Sequence, residues 1–206
     1  MQVRRLVVGP LDTNCWVVSG EDGTPVLLID PADDGATVLD ALDGAVPEAV
    51  VLTHGHFDHL AAAGEVCAAT GAPLLVHEAD ASFVTCPTGT GGALFGFDVT
   101  APHPDRELRD GDIVTAGALA FEVIHTPGHT PGCICLYGHG RLFSGDTLFA
   151  GSVGRSDFPR GDAYALRRSI AERLAPLPDD TAVHPGHGPD TTIGRERAVN
   201  PFFPRA

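Results

Sequence analysis

The sequence predicts an α/β fold arranged as an α-β-β-α sandwich, two mixed sheets packed face to face with helices outside. Three observations carry that expectation. Short β-rich runs alternate with segments of helical periodicity, the pattern of strands followed by helices occurs twice along the chain, and no Ser- or Gly-rich linker separates the two halves. With 206 residues, 43% hydrophobic and 19% charged, a single domain over 1–206 is expected. Direct identity between the halves is weak, so duplication is no more than a suggestion.

Val3–Val8, Cys15–Ser19 and Val26–Ile29, the last two separated by the turn Glu21–Pro25, read as antiparallel strands. Asp34–Leu42 places Ala36, Val38, Leu39 and Leu42 at helical spacing, and Val50–Thr53 is a buried-looking strand. Leu60–Thr70 is an alanine-rich helix stopped by Gly71, ahead of a strand at Leu74–His77. Thr85–Asp110 breaks into Thr, Gly and Pro and reads as a long loop, in which Phe95 and Phe97 form either a small satellite core or a lid. Ile113–Ala116, Leu119–Ile124, Cys133–Tyr137 and Arg141–Ser144 are strand-like. Ala163–Leu174 is an amphipathic helix, Thr181–Val183 a last strand and Thr191–Val199 a closing helix.

Composition removes several function classes. Thirteen basic against 27 acidic residues give a formal charge of −14, which disfavours a nucleic-acid partner. All thirteen basic residues are Arg, so neither a Schiff-base lysine nor a P-loop lysine exists. No apolar run approaches the ~18 residues of a membrane span, and the N-terminal apolar run Leu6–Pro10 is too short for a secretory leader. Five irregularly spaced Cys argue against a disulfide framework, so a cytoplasmic location without a membrane partner is expected. Ten His in so short a chain demand an explanation.

Thr53-His54-Gly55-His56-Phe57-Asp58-His59 follows directly on a predicted strand and packs three imidazoles and a carboxylate into six positions. Such crowding at a strand's C-terminal end is metal chemistry, and the turn into the following helix can aim His54 and His56 at one point and Asp58 and His59 at a neighbouring one. Three later segments share the pattern of a strand, then a ligand-type residue in a Gly/Pro turn: Thr126-Pro127-Gly128-His129, Ser144-Gly145-Asp146 and Pro185-Gly186-His187-Gly188. Each alone is an ordinary turn; together with the cluster they form a set.

These motifs resemble the metallo-β-lactamase superfamily, with its Thr-His-X-His-X-Asp-His signature followed by a His, an Asp and a last His. The likeness implies a metallo-β-lactamase fold with His54, His56 and His129 at one metal, Asp58, His59 and His187 at a second, and Asp146 bridging them. Ser144–Phe149, Gly154–Asp162, Gly186–Pro189, Thr192–Arg197 and Asn200–Phe202 are similar to the short type II glyoxalases, the hydroxyacylglutathione hydrolase group. That resemblance implies two divalent metal ions, Zn by default with Fe or Mn as alternatives. Only 19 residues follow His187, so the C-terminal glutathione-binding helical domain of the long form is expected to be absent. The thiol carrier is therefore open.

The implied reaction is hydrolysis of a 2-hydroxyacyl thioester, S-lactoylglutathione or an analogue, a small-molecule partner. On that resemblance two divalent ions, when bound, would supply a water that ionises near neutral pH, Asp58 would orient it, and Asp58 and Asp146 are the expected catalytic carboxylates. A thiolate of pKa ~8.5 leaves without a dedicated acid. The rivals are an iron-dependent persulfide dioxygenase, which needs only two His and an Asp, and hydrolysis of lactones or β-lactams. Arg155, nine positions after Asp146, is read either as a substrate-carboxylate clamp or as an ion pair with Asp157 or Asp162. His77, His103 and His139 are expected to be solvated or capping, and His125 and His184 structural. Cys133 and Cys135 are expected on one strand face as small apolar residues, not as nucleophiles.

Overall fold

In the computed structural model, which describes residues 1–24 and 26–204, twelve strands form two six-stranded sheets. Pro25, the end of the expected turn, lies outside the described residues. The first sheet runs in sequence order: β1 (Gln2–Val8), β2 (Thr13–Ser19), β3 (Val26–Ile29), β4 (Pro47–Val51), β5 (Leu74–His77) and β6 (Arg106–Leu108). Its first three strands pair antiparallel and the rest parallel, with helices α1 (Gly35–Leu42), α2 (Phe57–Leu60) and α3 (Ala63–Thr70) in the crossovers. The second sheet contains β7 (Ile113–Ala116), β8 (Leu119–His125), β9 (Ile134–Gly138), β10 (Arg141–Gly145), β11 (Ala182–Pro185) and β12 (Thr191–Thr192). It is antiparallel except for the β10–β11 pair, which α4 (Ala163–Ser169) connects.

The period of two along each strand divides the interior into three apolar layers. On β4, Ala49 and Val51 face the second sheet and meet Phe121, Leu136 and Phe143 there, whereas Val50 faces outward against Val38 and Leu42 of α1 and Val66 of α3. On β9, Ile134 and Leu136 face inward while Cys135 packs outward with Leu166 of α4 and Ile193 of α5 (Ile193–Val199). Helices therefore cover both outer faces, as the sandwich expectation requires.

Four element expectations need correction. The 85–110 loop contains β6 and a 3₁₀ turn at Gly92–Phe95; three residues on a sheet edge are too few to show periodicity. The Leu60–Thr70 helix is broken, because the Ala61 and Ala62 amides donate to Ala32 and Pro31 carbonyls instead of continuing the helical ladder. Ala163–Leu174 ends in a π turn from Ile170. The closing helix starts at Ile193, because Thr191 and Thr192 pair with β11. Among the described residues, no helix is long and apolar enough to cross a membrane.

The C-terminal helix is fastened by a buried carboxyl. Glu196 accepts from the Gly151 amide, the Thr191 hydroxyl and Asn200 Nδ2. Glu196→Ala strands three donors and should lower unfolding stability by roughly 3 kcal/mol in urea titrations. A change below about 1 kcal/mol would contradict this account of the helix's anchoring.

Candidate metal centre

Both sheets deliver their functional side chains at the same edge. His54, His56, Asp58 and His59 follow the end of β4, His129 lies in the β8–β9 turn, Asp146 follows β10, and His187 follows β11. All seven sequence-predicted groups meet there. The possible ligand atoms of His54, His56 and His129 lie within 4.8 Å of one another, as do those of Asp58, His59 and His187, and those of His54, His59 and Asp146. Asp146 stands between the first two sets: Oδ1 is 3.3 Å from His59 Nε2, and Oδ2 is 3.4 Å from His129 Nε2 and 3.6 Å from His187 Nε2.

Four of the five imidazoles are turned by the partner of their other nitrogen. His129 Nδ1 donates to the Arg155 carbonyl, His187 Nδ1 to the Leu11 carbonyl, and His59 Nδ1 to Asp30 Oδ2. Thr53 Oγ1 donates to Asp30 and sits 3.1 Å from His54 Nδ1, so it accepts from that ring. Four Nε2 lone pairs consequently point inward, and His56 aims Nδ1 at His129 Nε2 across 2.7 Å. His54 Nε2 and His129 Nε2 are 3.1 Å apart, and His59 Nε2 and His187 Nε2 are 3.3 Å apart. Ring nitrogens facing at these distances repel unless a proton or a metal ion lies between them. Asp146 Oδ1, buried, has no hydrogen-bond donor among the described residues. The donor set therefore fits divalent cations.

Charge points the same way. Burial, reinforced by the neighbouring imidazoles, holds His54 well below its ordinary pKa and pulls His56 down to about 3, so both are neutral and ready to ligate. Burial also opposes charge on His59, but Asp146, Asp58 and Asp30 outweigh it and hold its pKa well above the ordinary value. Asp58 and Asp146 both lie below the usual carboxylate range, the His59 charge overcoming burial in each case. The pocket around these carboxylates demands positive charge, whether from a proton or from a metal ion.

Glycine is required where the chain crowds the centre. A Cβ on Gly186 would collide with Asp146 Oδ1 and the His59 ring, and one on Gly128, at φ +145°, would strike the Leu166 backbone.

Residues 8–187 match the metallo-β-lactamase superfamily. The chain belongs to that superfamily. It is 40% identical over 204 residues to an uncharacterized protein of Aquifex aeolicus, covering 98% of this chain and 97% of that one. It is 34% identical to hydroxyacylglutathione hydrolase GloC of Haemophilus influenzae, with 98% of each chain covered. The crystal structure of the BLEG-1 B3 metallo-β-lactamase superposes with a TM-score of 0.92 at 36% identity, covering 98% and 99%. The structure of TTHA1623 in a di-iron-bound form gives 0.87 at 38%, covering 98% and 100%. The superfamily and its likeness to the hydroxyacylglutathione hydrolases agree with the motif reading.

Two supporting carboxylates escaped the sequence reading. Asp30 accepts from His59 Nδ1, the Thr53 amide and the Thr53 hydroxyl. It follows directly on β3 and precedes Pro31, a ligand-type residue in a turn after a strand, and that was the available signal. Asp80 accepts from the Gly55 amide, the Thr130 hydroxyl and the Gly132 amide, joining the loop of His54 and His56 to that of His129. Nothing local in the sequence marks it.

The remaining candidates are settled by their contacts. His77 is not solvated: it is buried, accepts from the Ala79 amide and stacks on His125 at 4.0 Å. His139 caps the Ala120 amide, and His103 is exposed. His125 lies 2.8 Å from the Pro131 carbonyl and His184 lies between Trp16 and Phe143, so both are structural. Cys133 and Cys135 are buried, and burial pushes both thiols up, Cys135 to about 11, so neither serves as a nucleophile. Of the two readings of Arg155 the structure shows the ion pair, a bidentate fork to Asp157 at 2.9 Å.

Asp30→Ala leaves His59 unoriented and should weaken metal affinity roughly 10- to 100-fold in chelator competition, with the helical circular-dichroism signal retained. Wild-type affinity in a folded Asp30→Ala would remove Asp30 from the centre.

Proposed function

We propose that this protein hydrolyses thioesters of 2-hydroxy acids at a pair of divalent cations, Zn by default, with S-lactoylglutathione or another low-molecular-weight thiol ester as substrate. The observation that carries the reading is the completeness of the second set, Asp58, His59 and His187, beside the first, with Asp146 reaching both. A one-metal persulfide dioxygenase has no use for that second set. The likeness to GloC supports the substrate class, and the likeness to a B3 metallo-β-lactamase supports β-lactam cleavage as a second reading. The di-iron relative keeps Fe as the alternative metal.

On this reading His54, His56 and His129 hold one cation, Asp58, His59 and His187 the other, and Asp146 lies between them. When bound, the cations supply Lewis acidity and a water ionisable near neutral pH. Asp58 is a carboxylate at neutral pH, with Oδ2 3.4 Å from the Thr13 hydroxyl and 3.2 Å from His187 Nε2. Held there, it orients the attacking water and takes its proton. Because Asp58 belongs to the second set, the attacked carbonyl faces the opposite side, towards His56. The thiolate then departs without a general acid. Arg155 holds the loop through Asp157 and is assigned no substrate contact.

Anaerobic assay of the zinc-reconstituted protein should release free thiol from S-lactoylglutathione faster than it opens a β-lactam or a lactone. Oxygen uptake with a glutathione persulfide, without thiol release from thioesters, would overturn the proposal. Arg155→Ala should leave KM for anionic thioesters within about twofold, since an exposed paired guanidinium contributes little to binding elsewhere. A KM raised tenfold at unchanged thermal stability would restore the clamp.

A further inference from the structure

The cleft over the centre encloses about 410 Å³, and beside His56 its wall is aromatic. Phe158 meets His56 edge-on at 6.0 Å, and Phe95 contacts Phe158 at 6.1 Å and Phe57 at 5.7 Å. Phe97 stacks on Phe57 at 5.2 Å while remaining 43% exposed, and Phe95 lines the cleft. Leu94 and Phe95 are 64% and 54% exposed at the lip of this anchored turn. Large apolar side chains held out beside a reactive centre gain only when an apolar group covers them.

The basic groups of the cleft are already engaged. Arg155 is forked to Asp157 with its guanidinium 4.2 Å over the Phe158 ring. Arg160 donates to the Gly89 carbonyl and lies over the Phe83 ring. A substituent entering on the His56 side thus meets ring edges and an isobutyl group, while the two guanidiniums that line the cleft are held to Asp157 and to the Gly89 carbonyl. The thioester reading above places the acyl carbonyl on this side, and the present inference rests on that reading.

We propose that Phe95 and Phe158, with Leu94, select the acyl group, so that 2-hydroxyacyl substrates bearing an aryl group on the carbon next to the scissile carbonyl are preferred to lactoyl. The thiol half is common to both substrates and plays no part in this discrimination. A methyl group covers little of this apolar wall, whereas a phenyl ring covers more of it. Phe95 is a specificity-determining residue on this account.

The test uses one thiol and two acyl groups, S-(R)-mandeloylglutathione and S-(R)-lactoylglutathione, with the zinc-reconstituted full chain. A second readout is calorimetric binding of the free acids, (R)-mandelate and (R)-lactate, to the same protein. The aryl member should win by at least about tenfold in kcat/KM and in affinity. Phe95→Ala should bring both ratios within about threefold of one at unchanged Tm, with Phe95→Leu intermediate. A wild-type ratio at or below one, or a ratio that survives in folded Phe95→Ala, overturns the proposal. If neither thioester is cleaved but mandelate still binds in preference and depends on Phe95, the thioester reading fails and the aryl selectivity stands.

Discussion

Five imidazoles and two carboxylates meet at one edge of the sandwich with their nitrogens and oxygens crowded inward. His56 and His129 approach nitrogen to nitrogen at 2.7 Å, and Asp146 Oδ1 is buried without a hydrogen-bond donor among the described residues. Folding such an arrangement costs desolvation and repulsion, and only positive charge in the gap offsets the cost. The rest of the structure serves to hold these groups against that repulsion.

It does so through strand ends. The seven groups come from four turns on two sheets, and the sheets are stitched together close to the centre. The Ile134 amide donates to Thr53, Asn14 binds the Gly186, Pro185 and Gly188 carbonyls, and Trp16 Nε1 binds Pro185. Asp30 fixes the His59 ring, and Asp80 fixes the loop of His54 relative to that of His129. These buried carboxylates convert sheet rigidity into ligand direction, which is what a preorganised centre requires.

Legibility in the sequence followed the range of the interactions. The inner and outer faces of β4 and β9 could be read from alternation, and the ligand-type residues from their density and their place after strands, because these signals are local. β6 and the break at Ala61–Ala62 were hidden: one depends on pairing with β5 and the other on carbonyls of Pro31 and Ala32, some thirty residues away. Asp80 was hidden for the same reason, since its partners lie 25 to 52 residues along the chain. Arg155 was ambiguous because both a clamp and an ion pair suit an Arg near Asp157, and only the side-chain geometry separates them.

The central claim is that one carboxylate, Asp146, is shared by two cation sites. Its most direct test is X-ray absorption spectroscopy with elemental analysis on the reconstituted protein and on Asp146→Ala. The account predicts two metal ions per chain and a metal–metal scattering path near 3.5 Å, the spacing usual for bridged pairs, with that path lost and loading reduced in Asp146→Ala. A wild-type protein that saturates at one ion, or an Asp146→Ala variant that keeps both ions at the same spacing, would contradict it.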